Sequence, residues 1–252
     1  PVAFPEVFLR GRSGFDCIVG NPPWEKARVE AHGFWGLRFP GLRSLPVGRQ
    51  NQEILALREE RPDLVSEYER EIEAAERMRK LLLAGPFPGM GQGDPDLYKA
   101  FCWRFWQLIC PGGRIGVVLP RSALAAAGTA LWREKILDQG QFADVTMLLN
   151  NRQWIFEDVH PQYTIGLVSI RKGRGKAPEV RLIGPFNSRA SYDAGVDTPR
   201  VAFSVDEFKT WSSGAAFPLL PSAESGEVFL KLRRHPRLDS DEHPWKVRAV
   251  TE

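Results

Sequence analysis

The chain has 252 residues, enough for one substantial domain and a smaller appendage. Apolar residues make up 43% and charged residues 26%, which excludes a disordered polymer, and a net charge of +3 permits a polyanionic partner without demanding one. No apolar run is long enough to span a membrane and no secretory leader is visible, so the expectation is a cytoplasmic protein with no membrane partner. Cys17, Cys102 and Cys110 form no Cys-x-x-Cys pair and read as reduced, mostly buried thiols, with neither a disulfide framework nor a zinc site.

The first 14 residues are a Pro- and Gly-punctuated approach to a strand at 15–20, whose Cys-Ile-Val run suits burial on both faces. That strand ends in Gly20 and breaks into Asn21-Pro22-Pro23-Trp24. Two prolines fix φ twice and remove two donors, leaving a rigid, acceptor-rich ledge at a strand's carboxyl end, where open α/β sheets bind ligands. Residues 24–49 are irregular and read as a long loop around Phe34, Trp35 and Phe39. Between 50 and 95 lies a helical insertion and linker. A short helix at 53–60 and a longer one follow from Val65, Tyr68, Ile72, Ala75 and Leu82 at helical spacing. The insertion carries more acidic than basic side chains and should stay off a nucleic-acid backbone.

Asp94-Pro95-Asp96 is suited to cap a helix over about 96–109 that is apolar nearly all round, with Leu97, Phe101, Phe105 and Leu108 beside Trp103 and Trp106. Pro111-Gly112-Gly113 stops it, and a buried strand follows at 114–119. A strand–helix–strand progression implies parallel pairing. A helix is expected over 122–140 and a strand at 145–149. A further strand at 163–170 follows after too short a connection for a parallel crossover, and so should be antiparallel. A basic turn at 171–176, a strand at 180–183 and helices near 205–212 and 224–233 complete the pattern, with a domain boundary near 185. His32, His160, His235 and His243 lack metal-ligand spacing and are assigned nothing. Tyr98 and Lys99 read as packing at a helix start, Asp16 as a local hydrogen-bonding partner, and the basic turn as solvated.

Phe15-Asp16-Cys17-Ile18-Val19-Gly20-Asn21-Pro22-Pro23-Trp24 resembles the catalytic motif of N6-adenine DNA methyltransferases that use S-adenosylmethionine. With Asp96-Leu97-Tyr98-Lys99-x-Phe101, the run from Gly112 to Pro120, and residues 150–159, the wider pattern resembles Eco57I-type restriction-modification and phage-defence methylases. It covers roughly residues 1–172. The stretch from Phe217-Pro218-Leu219-Leu220-Pro221-Ser222 through His235-Pro236-Arg237 is similar to the segment after the catalytic domain in defence methylases, DISARM-type ones included.

The resemblance implies an α/β fold: the later-strand half of a Rossmann-like methyltransferase sheet, parallel with one antiparallel strand, over residues 1–185. Residues 186–252 would be a linker or the start of a target-recognition region. It implies catalytic roles for Asn21, Pro22, Pro23 and Trp24, stacking of the target base on Trp24 and Phe156, and double-stranded DNA with a flipped adenine as substrate. Trp24 departs from the Tyr or Phe commoner there. The chemistry needs such a set independently, because an adenine amine has its lone pair delocalised into the ring. Two fixed acceptors on its N–H groups free that lone pair to meet a methyl donor, and the resemblance implies that the Asn21 side chain and the Pro22 carbonyl are those acceptors.

No Phe-x-Gly-x-Gly turn is present to hold S-adenosylmethionine, either early in the chain or near Gly184-Pro185-Phe186-Asn187. The cofactor-binding half is therefore expected to precede Pro1 as a missing partner. The strand at 15–20 should then lie near a sheet edge, and the fragment alone should be inactive and bind the cofactor poorly. Methylation of RNA adenine or of a protein glutamine, and a degenerate DNA-binding fold without catalysis, are the alternatives.

Overall fold

The computed structural model describes residues 3–236 apart from 158, 174, 176, 177, 212 and 213. In chain order the elements begin with α1 (Pro5–Phe8), β1 (Phe15–Gly20), α2 (Ala31–Arg38), α3 (Val47–Glu60), α4 (Pro62–Ala84) and α5 (Leu97–Leu108). They continue with β2 (Ile109–Pro120), α6 (Arg121–Ala125), α7 (Ala130–Gln139), β3 (Gly140–Leu149), β4 (Thr164–Lys172) and β5 (Glu179–Phe186). The last are α8 (Arg189–Gly195), β6 (Val201–Ser204), α9 (Val205–Trp211) and α10 (Ala223–Arg233).

Six strands form one sheet in the order β1-β2-β4-β3-β5-β6. β1 runs parallel to β2 with Ile18 opposite Ile115, and β3 parallel to β5 with Val145 opposite Leu182. β4 lies antiparallel between β2 and β3, with Val168 opposite both Val117 and Val145. This is the mixed α/β sheet expected, including the antiparallel fourth strand. β6 adds a second antiparallel strand, with Phe203 opposite Val180, where one was expected. Its four residues alternate buried and exposed, so it has one core face, whereas β3 is largely buried along its length.

β1 sits at the sheet edge, and among the described residues nothing pairs with its other side. The expectation that it is buried on both faces is overturned, because Cys17 is exposed and Val19 is 82% exposed. Its alternate residue Ile18 packs on the main core, and successive side chains point to opposite faces. An apolar run therefore does not by itself show that both faces of a strand are buried. Asp16 is indeed a local partner: it takes hydrogen bonds from Arg10 at 2.7 Å and from Arg12, and these guanidiniums hold its carboxyl below the ordinary range.

Three other expectations change. The loop at 24–49 contains α2 and a 3-10 turn at 42–44, because Phe34 and Trp35 bury against Tyr68 of α4 in a small second core with Ile54. The Phe34 and Tyr68 rings are 4.9 Å apart, and Arg38 lies over Phe34 while pairing with Glu67 at 2.7 Å. Gly33 and Gly36 read as helix breakers in isolation, and tertiary packing overrides that preference. Next, α5 buries Tyr98, Lys99, Cys102, Trp103 and Trp106, while Phe101 is exposed and Leu97, Phe105 and Leu108 are half-buried. An all-round apolar helix conceals which stripe is inward; here it is the one facing Ile115, Val117 and Trp132. Asp96 occupies the N-cap of α5 without a side-chain cap bond and instead pairs with Lys99 at 3.5 Å.

The single helix expected at 122–140 is broken between α6 and α7. The break falls at Ala126, whose ψ of 152° is extended and ends α6, and the chain then turns through Gly128, where a Cβ would collide with the Gln92 carbonyl. The main core runs from α5 and β2 through β3 to Phe203, Phe208, Trp211 and Phe217 beyond residue 200. Cys102 and Cys110 are buried as expected. Arg174 and Lys176 of the basic turn, and residues 237–252 with His243, lie outside the described residues. Lys172 of that turn is not solvated: its Nζ donates to the Trp106 and Ile109 carbonyls at 2.9 and 2.8 Å, capping the end of α5.

Candidate active site

The carboxyl end of β1 delivers the chain into the ledge expected there. Asn21 and Pro23 are exposed, Pro22 is buried and Trp24 is half-buried. The ledge is pinned immediately afterwards, where the Leu97 N–H donates to the Glu25 carbonyl at 3.0 Å and Lys26 bridges to Asp96. The entry to α5 is thus tied to the ledge, and the Lys26–Asp94 ion pair at 2.9 Å lies beside it. Lys26 holds the Asp94 carboxyl below its ordinary value, mainly through that hydrogen bond.

Across from the ledge, the connection from β3 to β4 carries Phe156. Its ring meets that of Trp24 edge-on, with centroids 5.9 Å apart and planes at 87°. Asn21, Pro22, Pro23, Trp24 and Phe156 all line one cleft of about 610 Å³. The two aromatics lie more than a hundred residues apart in the sequence and are brought together by the order β1-β2-β4-β3. An open cleft with one amide, a proline carbonyl and two perpendicular rings can hold a flat heterocycle by a face, an edge and its exocyclic nitrogen.

Four further lining residues, Glu25, Val159, His160 and Tyr163, were not singled out from the sequence for this cleft. His160, one of the unassigned histidines, is exposed there, and its Nδ1 accepts from the Gln162 N–H at 3.2 Å. That bond leaves the proton of the neutral ring on Nε2. Among the described residues no cluster of His, Cys, Asp or Glu could hold a metal ion, and no helix is long and apolar enough to cross a membrane. Asn150 is the residue that sequence reasoning missed most clearly. It is completely buried behind Phe156, and its only sequence signal is a polar amide at the end of the apolar run Met147-Leu148-Leu149.

A second cavity of about 390 Å³ shares Trp24 and Tyr163 with the cleft and is floored by Tyr98, Lys99, Ser122 and Gly128. Its polar groups are already engaged. Lys99 Nζ donates to the Gln92 and Asp94 carbonyls at 3.5 and 2.5 Å, besides pairing with Asp96. The Tyr98 hydroxyl donates to Ser122 at 2.9 Å, and burial pushes its pKa up, keeping it protonated. Both residues are packing elements at a helix start, as the sequence implied.

No family model matches the sequence, and no curated protein matches it either. Solved structures are similar at a remote level. One is a modification subunit of a putative type I restriction enzyme from Vibrio vulnificus YJ016, at 13% identity and a TM-score of 0.42, covering 87% of this chain and 40% of that one. A chain of a type I R-M system shows 15% identity and a TM-score of 0.42, covering 88% and 42%. The type I restriction-modification methyltransferase subunit from Streptococcus thermophilus shows 16% identity and a TM-score of 0.35, covering 89% and 33%. The chain therefore spans less than half the length of each. Roles for Asn21, Trp24 and Phe156 rest on the cleft itself.

Proposed function

We propose that this chain carries the base-holding half of a site-specific DNA methyltransferase, which transfers a methyl group from S-adenosylmethionine to N6 of an adenine flipped out of duplex DNA. Restriction-modification or phage defence is the setting that fits such an activity. The observation that carries the reading is the convergence of Asn21, Pro22, Trp24 and Phe156 on one cleft at a strand's carboxyl end.

In this reading the flipped base stacks on Trp24, a contact worth on the order of 1–3 kcal/mol. Phe156 bounds it from the side. The two N–H groups of the exocyclic amine donate to Asn21 Oδ1 and to the Pro22 carbonyl. Held by both acceptors, the nitrogen loses conjugation with the ring and its lone pair turns out of the plane. Positive charge that grows on nitrogen during transfer meets two dipoles already aimed at it, so no strong base is needed. Pro23 fixes the turn that keeps both acceptors in place. S-adenosylmethionine would supply the electrophilic methyl. The residues of the cleft do not suit that molecule themselves, because it needs a glycine-rich turn and a carboxylate for its ribose, and the cleft offers only Glu25 on its rim. The cofactor-binding half is accordingly assigned to a partner segment against the free edge of β1.

The test is transfer of labelled methyl from S-adenosylmethionine to adenine-containing duplex by the full-length protein. Asn21→Ala should lower the rate about a hundredfold or more while folding is retained, since it removes one aimed dipole. Transfer to RNA or to a glutamine peptide in place of DNA would reassign the substrate. Transfer that survives Asn21→Ala unchanged would sink the mechanism, and no transfer to any acceptor would leave a binding module.

A further inference from the structure

Asn150 lies at the end of β3, with its side chain wholly buried. Its Oδ1 accepts from the backbone N–H groups of Ile155 and Phe156, both at 3.1 Å. Its Nδ2 donates to the carbonyls of Phe156 at 2.9 Å and Val159 at 2.8 Å. An amide side chain has two acceptor sites and two donors, and here a single loop takes all four. The backbone N–H of Asn150 also donates to the Tyr163 carbonyl at 2.9 Å, which closes the loop end to end.

The loop is not one that would hold its shape unaided. Arg152 and Gln153 have φ of 54° and 58°, two successive non-glycine residues in the left-handed region. Such backbone persists only where the surroundings over-determine it. Phe156 is fixed through both its N–H and its carbonyl by the one side chain. The residue so held is the one whose ring stands edge-on to Trp24. Val159, the remaining acceptor, lines the same cleft. A buried asparagine could tie a loop for stability alone, but three of its four bonds fall on Phe156 and Val159, which line the cleft. A ring that bounds a bound base from the side serves only if it is held to within about half an ångström.

We infer that Asn150 is a positioning residue for the target base, acting through Phe156 and Val159; this rests on the reading of the cleft as a base clamp. Asn150→Asp nearly preserves shape, loses both donors and turns a carboxylate toward the Phe156 and Val159 carbonyls, so it should be as damaging as Asn150→Ala.

The test uses the whole chain, with a single-stranded oligonucleotide carrying one 2-aminopurine as probe. Quenching of its fluorescence reports stacking on an aromatic face, and amide exchange at residues 155 and 156 reports loop order. Both Asn150 variants should weaken probe binding about tenfold, as Phe156→Leu does. They should also speed exchange at 155 and 156 by about tenfold or more, with β3 and β4 unchanged. Binding lost in Phe156→Leu but kept in both Asn150 variants would overturn the role of Asn150 and leave the clamp standing. If neither Phe156→Leu nor Trp24→Ala alters quenching, the clamp itself is wrong and Asn150 loses its role with it. Unchanged exchange at 155 and 156 in Asn150→Ala overturns the inference whatever the probe shows.

Discussion

Trp24 carries a conflict that a smaller ring would not have. Its indole Nε1 is buried and has no acceptor among the described residues, although the ring is only half-buried. An orphaned buried donor costs about 1–3 kcal/mol, comparable to what one base stacked on the ring returns. Trp24→Phe removes that donor and keeps an aromatic face. The variant should therefore be at least as stable as the parent in urea unfolding despite its lost volume, and should still bind the probe base, more weakly. A loss above about 2 kcal/mol would show that ring volume, and not the orphaned N–H, dominates at this site. At this scale the sequence was most informative about the ledge, since two prolines after a strand admit few conformations. Phe156 was also legible, being one aromatic in a recognisable run. Asn150 was not, because an asparagine after an apolar strand reads as an ordinary turn residue until its four partners are seen.

Elements were legible where local pattern and tertiary environment agree. The strands β4 and β5 and the helix α4 follow apolar periodicity, and α9 and α10 also fall close to the expected places, whereas β2 begins at Ile109 and runs through Pro111-Gly112-Gly113, which read as a stop before a strand at 114. The break between α6 and α7 was hidden, because it lies at Ala126, an extended residue inside an alanine-rich run that reads as helix. Arg133 of α7 holds that break together. It is 1% exposed, and its guanidinium donates to the Ala123 and Ala126 carbonyls, to Thr129 Oγ1, and to the Gly214 and Ala215 carbonyls. Burial lowers its pKa to about 10, so it remains a cation at neutral pH. The charge is tolerated because five acceptors replace water. Arg133→Met takes the guanidinium donor from the Ala123, Gly214 and Ala215 carbonyls, while the Ala126 carbonyl keeps Thr129, and should cost about 3 kcal/mol in denaturant unfolding. Arg133→Lys should recover little of this, since a compact ammonium cannot reach acceptors on both segments. Loss under about 1 kcal/mol in Arg133→Met would mean that water enters and substitutes for the guanidinium.

For the whole molecule, the sheet ends differently at its two sides. At the far side β6 is short, and its Phe203 and the neighbouring Trp211 close the core. At the near side β1 has, among the described residues, an unpaired edge, with Val19 and Cys17 exposed on it and Phe4 exposed against Phe15 of the same strand. Exposed apolar sheet edges promote pairing with another chain. The position of β1 near an edge was anticipated from the missing glycine-rich turn. Its bare face was not, because apolar residues in sequence do not say whose surface covers them. If a cofactor-binding segment belongs on this side, the 252-residue chain by itself should self-associate through β1. Sedimentation should then show a mass that rises with concentration, and Val19→Lys, which sets a charge on the bare face, should shift it toward monomer. The substitution should leave the melting temperature within a few degrees, because an exposed side chain contributes at most about 0.5 kcal/mol to the fold. A chain that stays monomeric across the concentration range, or a Val19→Lys variant that associates equally well, would show that β1 needs no cover and would remove the structural support for a partner segment there.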